Sequence, residues 1–87
     1  MTFDDLEFGP RKVGGIQAKV FFSNGYGASV IKGYGSYGGS EGLYELAVLK
    51  IHEDGWDLCY DSGITEDVIG HLTEEEITDI LEQIEAL

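Results

Sequence analysis

Residues 33–38 read Gly-Tyr-Gly-Ser-Tyr-Gly, which fits Gly-x-Gly-x-x-Gly, the loop that cradles a dinucleotide pyrophosphate when it joins a strand to a helix N-terminus. Here the run leads through Gly39, Ser40, Glu41 and Gly42 toward a strand pattern, holds no Lys or Arg, and places Glu41 where it would repel phosphate. The kinase-type glycine loop does sit on a hairpin, but it needs a lysine, an aspartate and a second lobe that 87 residues cannot supply. No nucleotide cofactor is expected. The glycines read as a long connection with backbone freedom, and Tyr34 and Tyr37 give it the composition of an adaptable binding loop.

Cation chemistry fares no better. Asp54, Asp57 and Asp61 cluster near a turn without the alternating ligands and bidentate glutamate of an EF-hand, so no metal is expected. His52 and His71 stand apart, outside any metal or nucleophile motif, and Cys59 is the only cysteine. A lone thiol beside apolar neighbours on a strand reads as a packing residue, and it excludes an internal disulfide. No catalytic constellation remains, and an enzyme is not expected.

Charge carries the functional information. All five basic residues, Arg11, Lys12, Lys19, Lys32 and Lys50, fall in the first fifty positions, where Asp4, Asp5, Glu7, Glu41 and Glu45 balance them. The remaining 37 residues hold twelve carboxylates and no Lys or Arg, so they carry the whole formal charge of −12. That asymmetry disfavours direct binding to nucleic acid or an anionic membrane and favours a basic partner. Glu75, Asp79 and Glu82 follow at four and three residues and form a row, flanked by Glu74, Glu76 and Glu85, with neighbours ~5–6 Å apart, close to the spacing of DNA backbone charges. No lysine at i,i+4 relieves the repulsion, which costs a few tenths of a kcal/mol per pair. Asp54, Asp57, Glu66 and Asp67 extend the acidic field. Tyr26, Tyr34 and Tyr37 are the alternative binding anchors.

The elements that must position these groups follow from periodicity. A chain of this length makes one small domain, expected to be unexported, since Asp4, Asp5 and Glu7 stand where a signal peptide needs positive charge and an apolar stretch. Residues 1–15 read as an irregular arm in which Phe3, Leu6 and Phe8 anchor the chain before Pro10, with Gly14-Gly15 as a turn. Ile16, Ala18, Val20 and Phe22 alternate as a half-buried strand. A three-residue loop around Asn24-Gly25 then sets Val20 opposite Val30 and Phe22 opposite Ala28. Leu43–Ile51, apolar on both faces, is fixed as a strand by the Asp54-Gly55 turn, which puts Ile51 beside Leu58 and Leu49 beside Tyr60. Thr65 caps a short helix with Ile64, Val68, Ile69 and Leu72 inward. Thr73-Glu74-Glu75-Glu76 is a capping box, and Ile77, Ile80, Leu81, Ile84 and Leu87 make the apolar stripe of a C-terminal helix. The expectation is an α+β domain: a four-stranded antiparallel sheet of two hairpins over 16–61, and an acidic helical segment over 64–86 packed on one face.

Three stretches carry a resemblance: Asn24-Gly25-Tyr26-Gly27-Ala28-Ser29-Val30; Gly42-Leu43-Tyr44-Glu45-Leu46-Ala47-Val48; and Ile64-Thr65 with Asp67-Val68-Ile69-Gly70, Leu72 and Thr73. Together they resemble a family of small, mostly uncharacterised bacteriophage proteins, over nearly all of the chain from about Ile16. The resemblance implies a phage setting and the cytoplasm of an infected bacterium. Small acidic phage proteins include inhibitors of host defence, among them anti-CRISPR proteins that imitate DNA and occupy the duplex-binding or PAM-reading surface of a Cas effector. On that reading the partner is the basic groove of a host nucleic-acid-binding protein, and the inhibitor is a monomer or weak homodimer; the alternatives are a steric or allosteric inhibitor binding through the Tyr/Gly loops and a phage accessory or structural protein.

Overall fold

The computed structural model describes residues 1–65 and 67–87; Glu66, one of the expected acidic residues, lies outside them. Six strands make one antiparallel sheet: β1 (Gly9–Pro10), β2 (Ile16–Phe21), β3 (Tyr26–Lys32), β4 (Tyr44–His52), β5 (Gly55–Leu58) and β6 (Ile69–Leu72), followed by helix α1 (Glu74–Glu85). The spatial order is β1-β2-β3-β4-β5, and β6 pairs with the first half of β4, so β5 and β6 share one edge of that strand. The α+β class holds, but among the described residues the sheet has six strands rather than four.

Among the described residues the short helix expected after Thr65 does not appear. Its last four residues are β6, with Leu72 opposite Tyr44 and Ile69 opposite Leu46 across a bulge. Eight residues with Gly70 near the end make a poor isolated helix, whereas the first half of β4 offers a row of backbone groups that need partners. Thr65 instead bonds Asp67, its hydroxyl donating to the Asp67 carbonyl at 2.6 Å and accepting from the Asp67 amide at 3.1 Å. His71, in the bulge, has a left-handed φ of 57° and gives its amide to the Tyr37 carbonyl.

Both hairpin registers shift by two residues, which leaves every side chain on its expected face. Val20 pairs with Ala28 and Ala18 with Val30. The loop is Ser23-Asn24-Gly25, closed by the Phe22 amide on the Tyr26 carbonyl at 2.7 Å, with Gly25 at φ +88° supplying the left-handed last position of a three-residue hairpin loop. In the second hairpin Leu49 pairs with Leu58 and Ile51 with Trp56, and the loop is Glu53-Asp54. This register brings Trp56 within reach of Phe21, their ring centroids 6.5 Å apart.

One face of the sheet contributes Ala28, Val30, Leu46 and Val48 to the core, and α1 covers them with Ile77, Ile80, Leu81 and Ile84. The capping box forms as read: the Glu76 amide donates to the Thr73 hydroxyl at 3.2 Å, and Glu76 Oε1 accepts from the Thr73 amide at 3.0 Å. Leu87 departs from the stripe and is 42% exposed, because the helix ends at Glu85. That end is held by a residue of the first hairpin. Asn24 Nδ2 donates to the carbonyls of Ile84 at 2.8 Å and Glu85 at 3.2 Å, while its Oδ1 accepts from the Tyr26 amide at 3.0 Å. Replacing Asn24 by Ala removes the turn bond and the side-chain bonds to the helix end, while the Ile84 carbonyl keeps the Leu87 amide at 3.2 Å. We expect a loss of about 1–3 kcal/mol, at about 0.5–1.5 kcal/mol per net hydrogen bond, read from urea unfolding.

The N-terminal arm is anchored by the residues its sequence suggested. Phe3, Phe8 and Tyr44 form an aromatic group with centroids 5.0–5.8 Å apart, and the Phe3 amide donates to the Thr78 hydroxyl of α1. Phe3–Asp5 adds a single 3₁₀ turn, and Gly9–Pro10 is the edge strand.

Candidate acidic interface

Helix α1 lies with Ile77, Ile80, Leu81 and Ile84 buried, so the residues between them must face outward. Glu74, Glu75, Glu76, Asp79 and Glu82 are all exposed. Glu75, Asp79 and Glu82 run along the helix as the four-and-three spacing requires, while Glu76 is partly engaged in the capping box. The N-terminal end of the row stands where the helix macrodipole favours carboxylates; Glu82 and Glu85, in the last turn, stand where it does not.

The arm adds acidic residues that the helix pattern alone could not find. Thr2, Phe3 and Asp4 share a shallow cleft with Glu74, Glu75 and Thr78, so Asp4 joins the acidic end of α1. The signal was present as the Asp4-Asp5 pair, but nothing local said that the arm would fold back onto the last helix. The Met1 amino group hydrogen-bonds Glu85, and its pKa is raised, first by that bond and then by the surrounding field of Glu85, Asp5 and Glu82.

Among the described residues the Met1 amino group on Glu85 is the one cation paired with this surface. Among the described residues the two ion pairs are Met1 amino to Glu85 and His52 to Asp57 at 3.9 Å, so no Lys or Arg lies within 4.0 Å of a carboxylate. Three of the four lysines lie on aromatic rings: Lys50 over Tyr26 at 4.0 Å, Lys19 over Trp56 at 4.5 Å and Lys32 over Tyr44 at 4.8 Å from the ring centroid. Arg11 donates to the carbonyls of Gly14 and Tyr34.

No family model, curated protein or solved structure matches the chain. No helix among the described residues is long and apolar enough to cross a membrane.

The other expected residues are dispersed. Asp54 and Asp57 sit on the β4–β5 turn and its strand, at the end of the sheet where α1 finishes, opposite the Glu74 end. Asp67 lies in the segment before β6. Tyr26 opens β3 and is half-buried beneath Lys50, whereas Tyr34 and Tyr37 follow the far end of that strand, 86% and 62% exposed. Three tyrosines grouped by composition are thus split between two ends of the sheet. Cys59 is buried, its thiol donating to Asp61 Oδ1 at 3.2 Å, which agrees with a packing role.

The glycine run is a packing device. The backbone of Gly33 touches that of Gly15: a Cβ on Gly15 would meet Gly33 Cα at 2.7 Å, and one on Gly33 would meet Gly15 Cα at the same distance. Further along, a Cβ on Gly70 would fall 2.3 Å from Tyr37 Cβ, so the loop lies directly against β6. The Tyr37 amide donates to Glu45 Oε1 at 3.0 Å and its carbonyl accepts from His71. The motif leads into a single 3₁₀ turn, Gly39–Glu41, and then a strand. The α-helix N-terminus that a pyrophosphate loop needs does not follow.

Proposed function

We propose that this protein is a non-enzymatic inhibitor, encoded by a bacteriophage, that presents the α1 carboxylates to the Lys/Arg groove of a host nucleic-acid-binding defence complex, in the manner of an anti-CRISPR DNA mimic on a Cas effector. One observation carries the reading: the row Glu75, Asp79 and Glu82 stands exposed, extended by Asp4, Glu74 and Glu85, with no Lys or Arg paired to it among the described residues. A folded helix holds these charges at near-constant spacing, so little entropy is lost when the row meets a complementary groove.

The reading is tested by titrating the protein into a purified Cas effector from the host and measuring duplex DNA binding at several salt concentrations. Inhibition should be competitive with DNA and should weaken steeply as salt rises, because exposed charges are screened beyond ~10 Å at 0.1 M. Inhibition that is indifferent to both salt and DNA concentration would instead favour a steric or allosteric inhibitor, acting through the exposed loop tyrosines Tyr34 and Tyr37.

A further inference from the structure

Asn24 is followed by Gly25. An asparagine amide is chemically least durable before glycine, because a glycine nitrogen is unshielded by any side chain and can turn back onto the preceding Cγ. The same Asn24 joins the first hairpin to the end of α1. Its Nδ2 donates to the carbonyls of Ile84 at 2.8 Å, Glu85 at 3.2 Å and Leu87 at 3.4 Å, and its Oδ1 accepts from the Tyr26 amide at 3.0 Å. The nitrogen end of this amide thus sits in a cluster of acceptors and serves there only because it carries hydrogens.

We infer that Asn24-Gly25 is a deamidation site that the fold holds in check, and that its conversion expels residue 24 from its seat and frees the C-terminal end of α1. In the reaction, solvent hydroxide takes the Gly25 amide proton, the nitrogen adds to Asn24 Cγ, and the Cγ–Nδ2 bond breaks with loss of ammonia. Water then opens the cyclic imide at one carbonyl or the other, leaving aspartate or isoaspartate. Overall a water is consumed and an ammonia released.

The fold slows the first step by occupying both reacting groups. The Gly25 amide donates to the Phe22 carbonyl at 3.3 Å, and the Gly25 carbonyl accepts from the Ile51 amide of β4 at 2.8 Å, so the peptide that must swing toward Cγ is held on both sides. The Asn24 amide is fixed at its nitrogen and its oxygen by the bonds to α1 and Tyr26. Attack requires these bonds to break together, so the reaction proceeds through a local opening and its rate follows the open population.

Once formed, the product does not fit the seat. A carboxylate oxygen in place of Nδ2 has no hydrogen to donate and would face the carbonyl oxygens of Ile84, Glu85 and Leu87, at the helix end where the macrodipole is negative. It also adds a further negative charge to a chain already at −12. Isoaspartate has the same fault and inserts a methylene into the main chain of the loop that the Phe22 amide closes on the Tyr26 carbonyl.

Peptide mapping of aspartate and isoaspartate at position 24, after incubation at mildly alkaline pH, tests the inference. Conversion should be at least tenfold slower in native buffer than in concentrated urea, each tenfold corresponding to about 1.4 kcal/mol of opening. Asn24→Asp should unfold at a lower urea concentration than Asn24→Ala, since alanine only removes the bonds whereas aspartate adds repulsion, and amide exchange at Ala86 and Leu87 should be faster in the aspartate variant. The rate comparison uses the wild-type chain and needs no variant to fold. Equal rates in buffer and urea would overturn the inference, as would no conversion at position 24 in urea, or an Asn24→Asp protein at least as stable as Asn24→Ala. The groove-binding reading is not involved, because none of these measurements includes a partner.

Discussion

The triple substitution Glu75→Lys, Asp79→Lys and Glu82→Lys should abolish inhibition of the target complex while leaving the fold intact. Each change replaces −1 by +1, taking the formal charge from −12 to −6, and all three side chains are exposed on the outward side of α1. Setting three lysines against a Lys/Arg groove turns attraction into repulsion at the centre of the contact. A hundredfold or greater loss of affinity, about 3 kcal/mol or more, is expected. Stability should move little: the lost favourable placement of Glu75 near the helix N-terminus is offset by relief of repulsion along the row, each a few tenths of a kcal/mol to about 1 kcal/mol. Asp54→Lys with Asp57→Lys, on the turn beyond the far end of α1, should chiefly slow association. Undiminished inhibition by the folded triple variant would eliminate DNA mimicry through α1.

The second large effect concerns the glycines. Gly33→Ala and Gly15→Ala should each destabilise the fold by about 3 kcal/mol or more, since a methyl group at either position overlaps backbone atoms at 2.2–2.7 Å and φ is +154° and +82°. Gly35→Ala should cost only about 1 kcal/mol, because its φ of +81° is unfavourable but its Cβ would point into open space. Chemical denaturation of the three variants separates the cases. If the run served a phosphate, the loss on changing the middle glycine would appear in ligand binding. If it serves packing, the order of stabilities follows the contacts, Gly35→Ala being the mildest. For an 87-residue domain, whose whole stability is about 4–13 kcal/mol, either severe variant can leave the chain largely unfolded at ambient temperature.

How much of this was legible depends on how local the determinant is. The α1 stripe and the Thr73 capping box are written within twelve residues, so the sequence names Ile77, Ile80, Leu81 and Ile84 as buried and the carboxylates between them as outward. The alternation of Ile16–Phe22 likewise gives the faces of β2. Register was less accessible: shifts of two residues preserve every face, so hydrophobic pattern cannot choose between them, and the choice is made by Gly25 in the first turn and by the meeting of Phe21 with Trp56 in the second hairpin. The strand at Ile69–Leu72 was illegible for a stronger reason. Its sequence suits a helical turn as well as a strand, and it is set by the unpaired edge of Tyr44–Leu46, more than twenty residues upstream. In the acidic surface, Asp4 was missed because the Phe3–Thr78 bond that brings the arm to α1 spans 75 residues.

The placement of β6 also has a consequence for the order in which the fold can assemble. Strands β2 to β5 form a meander of neighbours whose two hairpin turns, β2–β3 and β4–β5, close on the microsecond scale, with the longer connection 33–43 between them. The first half of β4, by contrast, waits for a strand that begins eleven residues after β5 ends, and the apolar face beneath α1 waits longer still. As the chain leaves the ribosome, Tyr44 and Leu46 therefore present an open β-edge and an uncovered core until residues 69–85 have been made, at roughly 5–20 residues per second. A nascent chain paused before Thr73 is a sticky intermediate, a hazard that the finished molecule, with its charge of −12, no longer displays.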